Sequence, residues 1–239
     1  YLLHGPLSGA MDPATADARI TGAATDDYAG VAVGMGDLDG DGGAELLVGA
    51  GSASVNGRFA GEVTVYDNPV GALGTRTDAT ATIRGEAALD QVGYSLLVAD
   101  LDGDGLGDVV TSARGVGGED GDGPGAVLVF SGPVTGTHGI SDADQRVDGV
   151  GERAEAGQSL ATGDANGDGQ ADLLLSAWRH TDTAERQGAV FLLHGPLPPS
   201  TTLPAADAVM LGIAADDRCC RAIAMGDLDG DGVPELVAG

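Results

Sequence analysis

The sequence contains no lysine. Its 11 basic residues are all arginine, against 37 acidic residues, and the formal charge is −26. A surface this acidic repels phosphate backbones and anionic bilayers, so neither nucleic acid nor membrane insertion is expected of it. Aromatic residues make up only 3% of the chain, yet 42% is apolar, which leaves a core of alanine, valine and leucine. The only cysteines, Cys219 and Cys220, are adjacent. That excludes a disulfide framework and leaves two readings, a vicinal bridge or a bridge to another chain segment. No apolar run approaches the about 18 residues of a membrane-spanning helix. No segment keeps a helical period over three turns, and GxSxG, HExxH and phosphate-cradling loops are all missing. Catalysis by this chain is therefore not expected.

Glycine is abundant, at 42 of 239 residues, well above the roughly 7% of average usage. Much of it recurs in one motif. The stretch GDLDGDGGAELLVGA at 36 is followed by ADLDGDGLGDVVTSA at 99, GDANGDGQADLLLSA at 163 and GDLDGDGVPELVAG at 226. The first Asp of each copy falls at 37, 100, 164 and 227, so the spacings are 63, 64 and 63. YLLHGPL at 1 matches FLLHGPL at 191, and residues 1–49 align with 191–239 at an offset of 190 without a gap. The chain is about three and three-quarter copies of one unit of about 63 residues. Self-similarity of this length marks a stacked or radial architecture.

Each unit holds four strand-like segments, called A to D. In the first full unit A is about 29–36, B about 44–50, C about 61–67 and D about 79–84. Val31, Val33 and Met35 alternate with small residues in A, and Val63 and Val65 alternate in C. Period-two patterning with frequent turn signals predicts antiparallel sheet. Four strands per unit predict an all-β protein, a β-propeller with one four-stranded blade per repeat, the alternative being a β-solenoid or a row of sandwiches. The units are expected at 29–91, 92–155 and 156–218, with C and D strands of a partial blade at 1–28 and A and B strands of another at 219–239.

The acidic loop lies between A and B. Counted from its first Asp, positions 1, 3, 5 and 9 are Asp37, Asp39, Asp41 and Glu45 in the first copy, then Asp100, Asp102, Asp104 and Asp108. The third copy has Asp164, Asn166, Asp168 and Asp172, and the fourth Asp227, Asp229, Asp231 and Glu235. Every copy has Gly at positions 4 and 6. Alternate residues of a tight turn aim hard oxygens at one centre, which is calcium chemistry, and position 7 adds a backbone carbonyl from Gly43, Leu106, Gln170 or Val233. Zinc would call for His or Cys, and these loops have neither. A solvated acidic turn is the alternative. Without a cation, however, carboxylates a few ångströms apart repel one another.

These loops resemble those of the FG-GAP repeat, the unit of integrin α-subunit propellers and of many bacterial surface proteins. That family reads roughly Phe-Gly, strand, DxDxDGxxD, strand, Gly-Ala-Pro. Here the Phe-Gly position holds Ala29-Gly30, Val92-Gly93, Ala156-Gly157 and Cys219-Cys220. The Gly-Ala-Pro position holds Gly49-Ala50-Gly51, Ser112-Ala113-Arg114 and Ser176-Ala177-Trp178. The resemblance implies an extracellular propeller, usually seven-bladed, with structural calcium at the A–B loops and partners on the opposite face. The chain then reads as a fragment of such a propeller or as a four-bladed ring.

The B–C loops emerge opposite the A–B loops and differ from unit to unit. Arg58 and Phe59 in the first, and Trp178, Arg179 and His180 in the third, are the candidates for contact with a protein or glycan partner, since exposed aromatics beside arginine are common anchors. Packing of Trp178 between blades is the competing reading. His4 and His194 are expected at equivalent strand ends, and His138 and His180 in loops. The glycine-rich acidic stretch 115–125 does not fit the calcium template and reads as a mobile loop. The sequence therefore predicts a calcium-stabilised adhesion or scaffold module. Its rivals are the accessory propeller of a secreted hydrolase or phospholipase, a lectin, and a subunit that assembles into oligomers or fibres.

Overall fold

The middle strands of the three full repeats are buried on both faces, and packing between neighbouring sheets explains why. A computed structural model describes residues 1–67 and 78–239. The first full repeat forms β1 (Ala32–Gly36), β2 (Glu45–Ala50), β3 (Glu62–Tyr66) and β4 (Ala81–Arg84), each antiparallel to the next. The second forms β5 (Val92–Ala99), β6 (Asp108–Ala113), β7 (Ala126–Phe130), β8 (Gly136–Gly139) and β9 (Gln145–Asp148). The third forms β10 (Ala156–Gly163), β11 (Asp172–Ala177), β12 (Ala189–Leu193), β13 (Ser200–Thr202) and β14 (Ala208–Leu211). A last pair, β15 (Ile223–Gly226) with β16 (Glu235–Ala238), completes the described strands. At the other end Leu2 pairs with Ala18, the same partnership that Leu192 and Ala208 make one offset of 190 later.

The sheets stack as blades, with inner strands β1, β5, β10 and β15 side by side. Adjacent residues of one strand point to opposite faces, so Val109 packs toward the first blade and Val110 toward the third. The core between blades one and two joins Leu47, Val63, Val65 and Ile83 to Val92, Leu128 and Phe130. Between blades two and three, Val127, Val129 and Val147 meet Leu173, Leu175, Phe191 and Leu193. Small residues on β1 let the inner strands approach: a Cβ on Gly34 would lie 2.6 Å from Leu96 Cδ1.

Two blades hold a fifth strand that the four-stranded expectation lacks. β8, from the C–D connection of the second repeat, pairs in parallel with β4, and β13, from that of the third, pairs in parallel with β9. An outer strand presents unpaired backbone groups, and the next repeat's connection covers them. His138, expected in a loop, therefore lies in β8, with its ring edge-on to Phe130 at 5.8 Å between centroids. Val33 and Met35 on β1 remain 63% and 68% exposed. The described residues thus form an open arc of blades, not a closed four-bladed ring.

Cys219 and Cys220 are bonded to each other, which settles the cysteine question in favour of the vicinal bridge. Cys220 has φ 72° at the position where earlier repeats place Gly30, Gly93 and Gly157 with φ of 88°, 83° and 88°.

Candidate metal loops and the opposite face

The four acidic turns fold alike. In each, the two oxygens of the first Asp accept the backbone N–H groups of positions 4 and 6. Gly40 and Gly42 donate to Asp37 at 2.7 and 3.0 Å, Gly103 and Gly105 to Asp100 at 2.7 and 3.0 Å. Gly167 and Gly169 donate to Asp164 at 2.7 and 2.8 Å, Gly230 and Gly232 to Asp227 at 2.7 and 3.0 Å. Those eight glycines all have φ between 74° and 94°, the left-handed region that a side chain disfavours, which is why both positions are invariant within the chain. Position 3 accepts from the N–H of position 5 in every loop, at 2.8–3.1 Å.

Position 9 closes the turn from the first residue of the B strand. Its carboxylate accepts the N–H of position 2: Glu45 from Leu38, Asp108 from Leu101, Asp172 from Ala165 and Glu235 from Leu228, at 2.7–2.9 Å. Asp108 and Asp172 are fully buried and Glu45 is 4% exposed. Burial pushes the Glu45 carboxyl above its usual range and raises Asp108 to about 6. The N–H of Gln170 holds Asp168 below the usual range. Leu38 and Leu101, at position 2, are buried in the blade interfaces, so these turns are anchored from beneath.

Carboxylate oxygens cluster within 4.8 Å of one another at Asp37–Asp39–Asp41, Asp100–Asp102–Asp108 and Asp227–Asp229–Asp231. Asn166 stands in the third loop and donates its amide to Asp168 at 2.9 Å. All side-chain donors in these clusters are hard oxygens, and the carbonyls of Gly43, Leu106, Gln170 and Val233 follow at position 7, a set that fits a calcium ion. One further residue joins the first loop, which sequence reasoning missed: Asp67, just past β3, lies within 4.8 Å of Asp39 and Glu45. Its only sequence signal is its place at the end of strand C, 22 residues after Glu45.

On the opposite face, Trp178 and Arg179 are held at the boundary of blades two and three. The Trp178 indole N–H donates to Glu155 Oε2 at 3.1 Å and Arg179 Nη1 donates to Glu155 Oε1 at 2.6 Å. That hydrogen bond to Glu155 raises the pKa of Arg179. Arg221 lies 4.5 Å from the Trp178 ring. His180 turns inward, 8% exposed and edge-on to Phe191 at 5.3 Å, and burial lowers its pKa. Arg58 lies over Phe59 at 4.5 Å, on the first blade. His4 and His194 occupy equivalent strand ends, their N–H groups donating to Asp17 and Asp207 at 2.7 Å.

Comparison with known proteins agrees with this repeat geometry. The FG-GAP repeat pattern matches residues 29–66, 92–130 and 156–193. Integrin alpha-PS2 of Drosophila melanogaster is 27% identical over 226 residues, covering 90% of this chain and 15% of that protein. The phosphatidylinositol-glycan-specific phospholipase D of Rattus norvegicus is 32% identical over 147 residues, covering 59% of this chain and 17% of that protein. The chain thus spans under a fifth of the length of either relative. Among solved structures, the Bacillus licheniformis rhamnogalacturonan lyase PL11 superposes with a TM-score of 0.53 at 16% identity, over 88% of this chain and 40% of that one. At that identity the likeness speaks for the fold alone.

Proposed function

The chain belongs to the FG-GAP repeat family, and we propose that it is a calcium-binding, integrin-like propeller segment that serves as an extracellular adhesion or scaffold module. The observation that carries this reading is the fourfold recurrence of one turn, closed each time by a buried or half-buried carboxylate at position 9, with three carboxylates clustered within 4.8 Å in the first, second and fourth copies. A cation there offsets the mutual repulsion of the acids and the desolvation of position 9. Because position 9 begins the B strand and position 1 directly follows the A strand, the ion ties the two inner strands of a blade together. Its role is structural: calcium adds stability to a core with few large side chains.

The partner face, in this reading, is the set of B–C loops, with a protein or glycan as ligand and no reaction catalysed by the chain itself. The similarity to integrin alpha-PS2 over most of the chain supports the adhesion role and the extracellular setting. A second reading, the accessory propeller of a secreted hydrolase, is favoured by the match to the phospholipase D. Metal analysis of the desalted protein tests the common core of both: one calcium per acidic turn is expected, and a metal-free protein that takes up none on titration contradicts it. Calcium-dependent attachment of the immobilised chain to cell-surface protein or glycan separates the adhesion role from the accessory one.

A further inference from the structure

The first acidic turn differs from the others in one respect that bears on how it holds a cation. Glu45 Oε2 accepts the Leu38 N–H at 2.7 Å, but its Oε1 is buried without a hydrogen-bond partner, in a residue only 4% exposed. The second and third turns have Asp at this position, and there the second oxygen is satisfied. Asp108 Oδ1 accepts the Gly132 N–H at 3.3 Å and Asp172 Oδ1 accepts the Gly195 N–H at 2.9 Å. A buried carboxylate oxygen with no donor is destabilising unless a positive group faces it.

What Glu45 does face is acidic. Its carboxylate lies with those of Asp39 and Asp67, all within 4.8 Å of one another. Asp67 follows the last residue of β3, and the matching position after β7 is Ser131, whose hydroxyl donates to Asp102 Oδ2 at 3.1 Å. The end of strand C therefore meets position 3 of the turn in both blades. In the second blade it brings a neutral donor, and in the first a further negative charge. The Asp39–Glu45–Asp67 cluster brings together oxygens from the loop, from strand B and from strand C, and it shares Asp39 with the Asp37–Asp39–Asp41 cluster.

We propose that Asp67 is a cation ligand of the first turn, joining Asp39 and the buried Oε1 of Glu45 around the ion, and that it makes this turn the tightest of the four sites. The inference rests on the calcium reading given above. Calcium accepts six to eight oxygens, and the charge and number of its ligands set its affinity. With Asp67 the first turn offers five carboxylates, against four in the second and fourth turns and three in the third. Because Asp67 comes from strand C, the ion here links three strands of the blade, not two.

Calcium titration by calorimetry, on the whole 239-residue chain, tests this with two variants. Asp67→Ser places the residue of the second blade in the first, and Ser131→Asp does the reverse. The wild type is expected to show one class of site about tenfold tighter than the rest. Asp67→Ser is expected to lose that class, and Ser131→Asp to gain a second tight site at the turn of Asp100–Asp108. Circular dichroism in saturating calcium confirms that each variant is folded. A wild type that binds calcium and an Asp67→Ser variant that titrates identically overturn the role of Asp67 alone. A wild type that binds no calcium overturns the reading on which the inference stands.

Discussion

The carboxylate of Glu155 accepts the indole N–H of Trp178 at 3.1 Å while lying 3.4 Å from Arg114 Nη1, so one acid joins the loops after β6 and β11 across a blade boundary. Glu155 is 4% exposed, and the Arg114 and Arg179 side chains are only 17% and 16% exposed. Replacing Glu155 with Ala removes the buried anion shared by two arginines and leaves the indole N–H without its acceptor, although Arg114 keeps Gln91 and Gln158 and Arg179 keeps Asp122. Removing one partner of such a pair is expected to destabilise the fold by roughly 2–4 kcal/mol, read as a lower urea midpoint. A midpoint within error of the wild type would show that solvent reaches these groups freely.

Gly105, at position 6 of the second turn, has φ 92° and open space where a Cβ would sit. The Gly105→Ala variant therefore meets no clash and isolates the backbone cost, about 1–2 kcal/mol for a left-handed alanine. Because that glycine's N–H donates to Asp100, calcium affinity at this turn is expected to fall as well. Unchanged stability would mean that the turn adopts another conformation in solution.

His180 is buried against Phe191, and desolvation lowers its pKa below the 6.5 of the unfolded chain. The unfolded state then binds more protons below that value, so stability falls as the pH drops from 6.5 toward the folded pKa. In saturating calcium the wild type is expected to lose melting temperature between about pH 7.5 and 5.5 more steeply than His180→Gln. Parallel profiles would place the imidazole in contact with solvent.

Much of this architecture was legible because one pattern recurs at spacings of 63, 64 and 63. The apolar alternation of Val63 and Val65 reappears as β3, and the acidic turns close as their spacing suggested. β8 and β13 were not legible. Their sequences, GTHG and STT, carry no apolar alternation, because they pair through backbone groups at a blade's outer edge and bury little. Asp67 and Glu155 escaped for a related reason: each meets its partners only in space, Asp67 from strand C and Glu155 from the turn before β10. Val33 and Met35, which alternate with small residues in strand A, are exposed, since no earlier inner strand among the described residues covers β1.

The central claim is that divalent cations occupy the acidic turns and lock the inner strands. The most direct test is a thermal melt of the calcium-loaded chain with and without a calcium chelator, at matched ionic strength. The melting temperature is expected to fall by about 10 °C or more on chelation and to return when calcium is added back. Superimposable melts, with the chelator shown to be in excess, would contradict the account.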